Sequence, residues 1–468
     1  MAARSLSTVF WRDNADPTYE ALPLDSGDVS RELTRSRHSP RSRVSRTPLR
    51  LTILVAGVVL LVVAVVTVDQ HIAALRNRAA MLSSFWPVTQ PNRTDVYEDE
   101  NSRTMHRLIE CVADGTCTER QTHVVILASW HFKGSVEGQV SGEDIWQGSE
   151  CAQPSQLLAL QEMGYSAIIT AGTNEDLVHT YHLFPDLVKV IIAEGWDINM
   201  CNKDPSCIQS ESNPLGVPLW KLFAFHFWGG HAHPLGGPWT LSPENFPLLM
   251  GGDSVNNTYL GYSIERACEK LPVVAHVQRP NQAYVLAKHL SYFYDHNFAW
   301  KDVAFDDAGS PARFVAGMIE DAEAAGKSVP AGVANHGRLN KTAFYLELAR
   351  SRVLVGIGSP LLSPSPYDAL CMGVPFVNPI QQWDAQHPED REAWMTQHDG
   401  LKYENPPHVY NVHANDVAGF WRAVKQAMET GIEGDRYIVP NMTMDALKTR
   451  LTRIIETDWE GRAKALSA

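Results

Sequence analysis

Hydrophobic and polar positions follow a pattern of short strands alternating with helices through the middle of the chain. The runs 123–130, 165–170 and 188–194 are short and apolar, which is typical of buried strands. Residues 151–164 have apolar positions at helical spacing and end at Gly164, a typical helix stop. Strands that alternate with helices predict a parallel sheet covered by helices on both faces.

A second block of the same kind begins near residue 270 and includes two predicted amphipathic helices, 414–432 and 442–456. Between the blocks, residues 205–262 are rich in Gly, Pro, Trp and His and predict long loops. The pattern favours an α/β fold in which two Rossmann-like domains, residues 119–270 and 271–468, face a cleft. Ligands of such sheets bind at the carboxyl ends of the strands.

The N-terminal part of the chain has a different pattern. Residues 51–68 are uncharged and apolar over 18 positions, enough for a transmembrane helix. Arginines dominate the preceding residues 1–50, a tail expected to be disordered, and the positive-inside rule places that tail in the cytosol. Residues 69–118 are then expected to form a lumenal stem, and the short span suits a Golgi membrane. A buried core helix or a cleaved signal peptide is the alternative interpretation of the apolar run.

Composition narrows the function classes. Apolar residues make up 44% of the chain and include 13 tryptophans, enough for sizeable cores. The net charge is −13, which argues against nucleic-acid binding because phosphate contacts need clustered cations.

Two further features agree with a lumenal environment. The seven cysteines all follow the apolar run, and two close pairs, Cys111/Cys117 and Cys201/Cys207, are candidates for disulfides. The odd number leaves at least one unpaired within the chain, and Cys371 is our candidate for it, although a buried apolar role is the better interpretation of that residue. Four positions match the N-glycosylation sequon: Asn92, Asn256, Asn340 and Asn441.

Residues 353–379, VLVGIGSPLLSPSPYDALCMGVPFVNP, carry the most specific local chemistry. They predict a strand, a glycine turn, a proline-rich loop, a short helix and a second strand. Gly356 and Gly358 follow the strand, where the backbone must turn tightly or approach another group closely.

The short helix within this segment has the features of an anion site. Pro366 fits its first turn and Ser365 fits its cap. Exposed N–H groups at a helix start attract phosphate, and Asp368 in the first turn can accept hydrogen bonds from ribose hydroxyls. The alternative for Asp368 is a surface acid that complements the helix dipole.

The segment resembles the donor-binding segment of glycosyltransferase family 18, the alpha-1,6-mannosylglycoprotein 6-beta-N-acetylglucosaminyltransferases. Segments at 236–246, 256–265, 335–337 and 396–412 resemble other stretches of the same family, in order. Matching positions within 353–379 are Gly356, Gly358, Pro360, Pro364, Pro366, Asp368, Ala369, Gly373, Phe376, Asn378 and Pro379. Asp368 stands where the family has Glu.

This resemblance implies a GT-B fold, with an acceptor-side domain at 119–270 and a nucleotide-sugar-binding domain at 271–468. It implies an inverting transferase that moves GlcNAc from UDP-GlcNAc to a mannose of protein N-glycans, in a single-pass type II Golgi membrane protein. No metal or other cofactor is implied, and the sequence contains no Asp-x-Asp triplet. The expected partners are UDP-GlcNAc, N-glycosylated acceptor proteins and the membrane.

The resemblance also implies site residues. Those expected to bind the nucleotide sugar are Asn335, His336, Gly358, Pro366, Asp368 and His408. Without a metal, cationic side chains must meet the charge of the leaving group, and His336, His398, His408 and Lys402 are the candidates. Each is more often a structural or surface residue.

Inversion needs a general base for the attacking hydroxyl. The family places it in the loop after the first strand, where Glu137 is our candidate and Glu143 and Glu150 are alternatives. The family's local pattern is not reproduced in this loop.

Aromatic and imidazole side chains suggest two other roles. Sugar stacking is a possible role for Trp228, Trp239 and Trp383, although core packing is the default. A zinc site at His226, His231 and His233 is a weak alternative, because their spacing is not that of zinc ligands. Two other functions stay open: a transferase of this fold with another donor or acceptor, and an inactive, lectin-like relative.

Overall fold

The computed structural model describes residues 96–129, 132–133, 154–170, 173–226, 230–246, 248–250, 253–432 and 436–466. The chain divides into two units, Met1–Arg78 and Ala79–Ala468, and every described residue belongs to the second. The predicted tail and the apolar run 51–68 lie outside the described residues. Within the described ranges, no helix has both the length and the apolar character needed to cross a membrane.

The first sheet is parallel and lies in the N-terminal half of the described chain. Its strands are β1 (Val124–Leu127), β2 (Ser166–Ile169), β3 (Val188–Glu194), β4 (Leu222–Phe225), β5 (Thr240–Ser242) and β8 (Thr258–Tyr259). A separate antiparallel hairpin contains β6 (Leu248–Met250) and β7 (Asp253–Val255). The order of the strands in the first sheet is β2-β1-β3-β4-β5-β8.

The first three of these strands confirm the predicted ones, because each is a short run of mainly apolar residues. The expectation of long loops over 205–262 is wrong in part, since β4, β5 and β8 lie there and continue the sheet. These strands are two to four residues long and are separated by Gly, Pro and Trp, so periodicity does not reveal them.

Helices cover both faces of the first sheet. They are α1 (Val96–Asp114), α2 (Ser155–Met163), α3 (Asn174–Leu183) and α4 (Gly195–Lys203). α2 confirms the predicted helix, and Gly164 ends it in the left-handed conformation at φ 86°. α1 corrects the expected stem: the Asn101 side chain makes two hydrogen bonds to the backbone of Ile169, and Met105 and Leu108 are buried against the sheet.

The second sheet follows in the C-terminal half of the described chain. Its strands are β9 (Gln282–Val285), β10 (Arg313–Ala316), β11 (Val333–Asn335), β12 (Val353–Val355), β13 (Phe376–Gln382), β14 (Met395–Thr396) and β15 (Val409–His413). The parallel part has the order β11-β10-β9-β12-β13-β15, and β14 pairs antiparallel with the end of β13. This is the 3-2-1-4-5-6 order of dinucleotide-binding sheets. The two-sheet α/β expectation is confirmed, and the predicted boundary at residue 270 falls between the sheets.

Four helices belong to this second lobe: α5 (Glu265–Lys270), α6 (Lys341–Ala349), α7 (Ser365–Cys371) and α8 (Val417–Glu429). The chain then returns to the first sheet through α9 (Met444–Glu456) and α10 (Trp459–Leu466). Leu447, Leu451 and Trp459 are buried in the same core as β1, β3 and β4. The expectation that the C-terminal domain extends to residue 468 is therefore corrected, because the apolar faces of α9 and α10 are buried against the other lobe.

Three disulfides occur among the described residues. Cys111–Cys117 and Cys201–Cys207 confirm the two predicted pairs. The third joins Cys268 in α5 to Cys371 in α7, so the expectation that Cys371 is unpaired is wrong. The two cysteines are 103 residues apart in the sequence and meet because α5 packs against α7. No local sequence pattern could indicate this contact. The seventh cysteine, Cys151, lies outside the described residues.

The predicted glycosylation sites stay predictions. Asn256, Asn340 and Asn441 are exposed, as acceptor asparagines must be. Asn340 also caps α6 by accepting a hydrogen bond from the Ala343 N–H. Asn92 lies outside the described residues.

Candidate active site

The order of the second sheet reverses between β9 and β12, and ligands of parallel sheets bind in the crevice at such a point. Gly358 lies just past β12 with φ 110°, where a Cβ would collide with the Asn297 carbonyl oxygen. Its N–H donates to the Gln397 side chain at 2.8 Å. Gly358 thus lets the loop after β9 close against β12 and shapes the crevice by packing.

The helix α7 starts at this crevice and carries Pro366 and Asp368 in its first turn. The predicted cap is corrected, since Ser365 is the first helical residue and no side chain caps the helix. The Tyr345 hydroxyl of α6 donates to Asp368 Oδ2 at 3.2 Å. Burial raises the pKa of Asp368 to about 7, while the Tyr345 hydrogen bond and the Lys341 charge act in the opposite direction.

Asn335 ends β11 and His336 follows it directly, at the same edge of the sheet. The Asn335 side-chain oxygen accepts from the N–H groups of Met318 and Gly337 at 3.1 and 2.9 Å, and its amide donates to the Met318 carbonyl at 3.2 Å. Asn335 therefore fixes the turn that presents His336, whose side chain is exposed. These two residues lie at the edge where Gly358, Pro366 and Asp368 are found.

Three of the cationic candidates are not brought to this edge as charges. His408 precedes β15, so it lies at the opposite edge of the second sheet, where its ring stacks on Tyr437 at 3.6 Å. His398 is buried, and burial lowers its pKa to about 3, which leaves it neutral. Lys402 is buried and donates to the Trp394 carbonyl at 3.1 Å. The sequence does not show at which edge of the sheet these three side chains lie, because that depends on how the strands are arranged in the sheet.

Two lysines missed by sequence reasoning lie near the C-terminal edge of the second sheet. Lys288 is three residues past β9 and is partly buried. Lys341 is the first residue of α6, is exposed, and acts electrostatically on Asp368. The sequence did contain a signal for both lysines. Lys288 comes soon after a strand, and Lys341 begins a helix that follows a strand, so both were predictable at the carboxyl edge of the sheet.

A buried carboxyl group connects the two lobes beside this crevice. Glu244, two residues past β5, accepts hydrogen bonds from Tyr262 at 3.0 Å and from Tyr367 of α7 at 2.6 Å. Its side chain is 1% exposed, and burial raises its pKa to about 7. His398 packs edge-on against Tyr367, with ring centroids 4.8 Å apart. Because Glu244 follows a strand of the first sheet and α7 follows β12, the C-terminal edges of both sheets meet here.

The first sheet also ends in functional groups at that edge. The Ser129 hydroxyl, after β1, donates to the carboxylate of Glu194 at the end of β3. Asp197 lies in the first turn of α4, and burial, together with the negative charge of Glu194, raises its pKa to about 6. Sequence reasoning missed this pair because Ser129 and Glu194 are 65 residues apart.

The remaining expectations divide into two groups. Glu137, Glu143, Glu150 and Trp228 lie outside the described residues. Trp239 is 1% exposed and packs on Trp459, so it is a core residue and cannot stack on a sugar. Trp383 is 37% exposed and packs edge-on against His413. Among the described residues, no group of His, Cys, Asp and Glu side chains is arranged to hold a metal ion.

Comparison with known families confirms the resemblance seen in the sequence. The profile of glycosyltransferase family 18 matches residues 225–460, half of the chain. The match runs from the end of β4 to α10 and includes the whole second sheet.

Two human proteins illustrate the similarity to individual sequences. Alpha-1,6-mannosylglycoprotein 6-beta-N-acetylglucosaminyltransferase A from Homo sapiens is 24% identical over 248 residues, 48% of this chain. The corresponding enzyme B from Homo sapiens is 24% identical over 235 residues, 47% of this chain. The matched part spans only 30% and 28% of the length of these relatives.

Among solved structures, a glycosyltransferase involved in avilamycin A biosynthesis, AviGT4, aligns with 74% of this chain and 96% of its own, at 12% identity and a TM-score of 0.38. The calicheamicin glycosyltransferase CalG4 aligns with 74% of this chain and 97% of its own, at 12% identity and a TM-score of 0.27.

Proposed function

Since the chain belongs to glycosyltransferase family 18, we propose that it is an inverting GT-B enzyme that transfers GlcNAc from UDP-GlcNAc to a mannose of protein N-glycans. The product would carry a beta-1,6 branch, as the names of the relatives indicate for those proteins. The observation that carries the proposal is the family match over the second lobe, together with the functional groups collected where its strand order reverses.

The donor is proposed to bind at the C-terminal edge of the second sheet. Asp368 would accept hydrogen bonds from the ribose hydroxyls, in place of the Tyr345 hydroxyl or beside it. At this edge, a diphosphate could contact the ammonium groups of Lys288 and Lys341 and form a hydrogen bond with the imidazole of His336. The charge of the two lysines would stabilise the leaving group as the bond to the anomeric carbon breaks.

The general base, the independence from metal and the membrane anchor are further parts of the proposal. The general base is expected among Glu137, Glu143 and Glu150, which lie outside the described residues. Independence from divalent metal is expected of the reaction. Residues 51–68 are proposed to anchor the chain in the Golgi membrane as a type II protein, with the two sheets in the lumen.

The test is transfer of radiolabelled GlcNAc from UDP-GlcNAc to defined mannose-terminated N-glycans by the purified chain, with and without EDTA. We expect transfer in both conditions. Absence of transfer to every such acceptor would refute the proposed activity, whereas loss in EDTA alone would refute only metal independence. Transfer from another UDP-sugar, or UDP binding without turnover, would favour the two alternatives.

Donor binding tests Asp368 separately. Because the pKa of Asp368 is raised to about 7, its carboxylate is fully present only above that pH. UDP should therefore bind more tightly at pH 8 than at pH 6. Asp368→Asn should weaken UDP binding by about tenfold or more at pH 8, through the loss of a charge-assisted hydrogen bond.

Calorimetric titration with UDP measures this effect, and Asp384→Asn is the matched control. Asp384 is an exposed acid of the same lobe whose carboxylate bonds to His387. Equal UDP affinity of Asp368→Asn and the unmodified chain at pH 8 would rule out the ribose contact.

A further inference from the structure

The side chain of Glu244 joins the two lobes and the segment of chain between them. Glu244 belongs to the first lobe, Tyr367 to α7 of the second lobe, and Tyr262 to the segment between β8 and α5. The Tyr262 hydroxyl donates to Glu244 Oε1 at 3.0 Å, and the Tyr367 hydroxyl donates to Oε2 at 2.6 Å. The Ser242 hydroxyl holds the Glu244 backbone by donating to its carbonyl oxygen at 2.8 Å. One carboxyl group therefore connects the end of β5 to the helix that carries Asp368.

The second lobe also approaches this carboxyl group with bare backbone at Gly400. A Cβ at Gly400 would lie 2.6 Å from Glu244 Oε2 and 2.7 Å from the Tyr367 hydroxyl oxygen, so a side chain here would push these two groups apart. His398, two residues earlier, is buried and packs its ring edge-on against Tyr367. Glu244 is 1% exposed, so its carboxyl group lies inside the contact between the lobes and not on the surface of a cleft.

No cationic group bonds to the Glu244 carboxyl among the described residues. Burial raises the pKa of three surrounding phenols, which therefore stay neutral: Tyr259, Tyr262 and Tyr367. Burial lowers the pKa of His398 to about 3, which leaves its imidazole neutral as well. Asp368 adds a negative charge when it is ionised, and the guanidinium of Arg450 lies over the Tyr259 ring, 4.2 Å from its centroid. An ionised Glu244 would therefore be a buried charge without a bonded counter-charge, which is costly.

Resting on the proposed transferase function, we propose that Glu244 is a positioning residue, and that the proton on its carboxyl group holds the two lobes together for transfer. A neutral carboxyl group can remain in this enclosure and keep its contacts with both hydroxyls. An ionised carboxylate is more stable where water solvates it, and water reaches it only when the lobes separate at this contact. Loss of the proton would thus open the contact between the lobe that binds the donor and the lobe that faces it.

The pKa of Glu244 gives the direction of this effect. Burial raises it from its ordinary 4.5 to about 7 in the closed contact, whereas a solvated carboxyl group in the open arrangement has the ordinary value. The closed arrangement therefore binds more protons between these values, so it is favoured at low pH and is lost as the pH rises through 7. From pH 6 to pH 8.5 the equilibrium shifts about tenfold toward the open arrangement. A cleft that admits two substrates must open and close, so both arrangements are populated and such a shift changes the active fraction.

Glu244→Gln tests the proposal, because Gln has nearly the same size and stays neutral at every pH. The ratio of its kcat to the kcat of the unmodified chain should rise about tenfold between pH 6 and pH 8.5. UDP affinity should be the same in both proteins at each pH, because the proposed donor groups lie in the second lobe alone. A merely structural Glu244 would instead change kcat to a similar extent at every pH. A kcat ratio that stays within about threefold over this range would overturn the proposal.

Two further variants show whether the effect belongs to this carboxyl group. Glu244→Asp keeps an ionisable group at the same position, so its kcat should fall on the alkaline side as it does in the unmodified chain. Glu211→Gln removes an exposed acid of the first lobe, and the ratio of its kcat to that of the unmodified chain should not change with pH. A rise of the same size in Glu211→Gln would overturn the assignment to Glu244.

Hydroxyl-radical footprinting measures the opening in the unmodified chain, without catalysis and without a variant. Tyr262 and Tyr367 are buried at the contact, whereas Trp300 is buried in the core of the second lobe. Oxidation of the two tyrosines, measured by mass spectrometry, should increase by about threefold or more from pH 6 to pH 8.5, while Trp300 stays protected at both values. Unchanged oxidation of both tyrosines would overturn the proposal.

The two measurements separate this inference from the proposed function. If the unmodified chain transfers no sugar at any pH, the proposed function fails, and footprinting alone decides whether the lobes open when the proton is lost. Greater oxidation of Tyr262 and Tyr367 at pH 8.5 than at pH 6, absent in Glu244→Gln, then supports the proton-dependent contact. If transfer occurs with a constant kcat ratio, the proposed function stands and the role of Glu244 fails.

Discussion

Replacing Glu244 by Gln should reduce the loss of folding stability that occurs as the pH rises. The Glu244 carboxyl is buried between the two lobes without a cationic partner among the described residues, and its contacts are the hydroxyls of Tyr262 and Tyr367. Burial raises the pKa of both tyrosines well above their ordinary value, so they remain hydrogen-bond donors. A Gln side chain has nearly the same size, can accept a hydrogen bond from one of these hydroxyls and donate an N–H to the other, and carries no ionisable proton.

The sign of the effect follows from the pKa of Glu244, which is about 7 in the folded protein against an ordinary 4.5. Between these values the folded state binds more protons than the unfolded state, so stability is greatest below pH 4.5 and falls as the pH rises through 7. At 1.36 kcal/mol per pKa unit, the loss between pH 5 and pH 8.5 is about 2.5 kcal/mol. With an unfolding entropy of about 2.1 cal/mol/K per residue over residues 96–466, this loss of stability corresponds to a decrease in Tm of about 3 °C.

The assay is thermal unfolding of the unmodified chain and of Glu244→Gln at pH values from 5 to 8.5. The difference in Tm between them should grow by about 3 °C across this range in favour of the variant. Other groups that titrate in this range, such as Asp368, are common to both proteins and cancel in the difference. Parallel Tm curves would refute the reasoning, and Glu211→Gln, at an exposed position, should show such parallel curves.

Two further predictions concern the second lobe. Replacing both Cys268 and Cys371 by Ala should lower the free energy of unfolding by about 2–4 kcal/mol, because the disulfide closes a loop of 103 residues, and reversible urea unfolding at a constant m value measures this. If the stability is unchanged, the disulfide does not restrain the unfolded chain as assumed. Gly358→Ala should destabilise the fold by at least about 2 kcal/mol and weaken UDP binding, since φ is 110° and the new Cβ would meet the Asn297 carbonyl. A Tm within 1 °C of the unmodified chain would show that the β9–β12 crevice can relax around a side chain.

Several elements were predictable because their signal is local. β3 occupies the predicted residues 188–194, since five of its seven residues are apolar. The helices predicted at 414–432 and 442–456 are found at Val417–Glu429 and Met444–Glu456, with caps at Asp416 and Thr443. Helical spacing and a capping residue are properties of one stretch of chain, so no tertiary contact is needed to recognise them.

The candidate site was predictable only in part. The motif 353–379 indicated the edge of the second sheet where the strand order reverses, and five of the predicted residues lie at that edge: Asn335, His336, Gly358, Pro366 and Asp368. Their role in donor binding stays a prediction. The same motif matching selected His408, which the parallel course of β15 places at the opposite edge. A sequence match shows which residues correspond to those of the family. It does not show at which edge of the sheet each residue lies, because that depends on the direction of the strand beside it.

The sequence by itself determined β1, β2 and β3, the amphipathic helices, the glycine and proline positions of the segment 353–379, and the family. Only the tertiary structure decided which distant groups meet. Glu244 and Tyr367 are 123 residues apart, Ser129 and Glu194 are 65 apart, and α9 crosses back to the first sheet. Local patterns arise from backbone geometry and the burial of one face, whereas these contacts arise from the order of strands and the packing of two lobes. Burial in those contacts also sets the pKa of Glu244 and the neutrality of His398, which the residue types alone do not indicate.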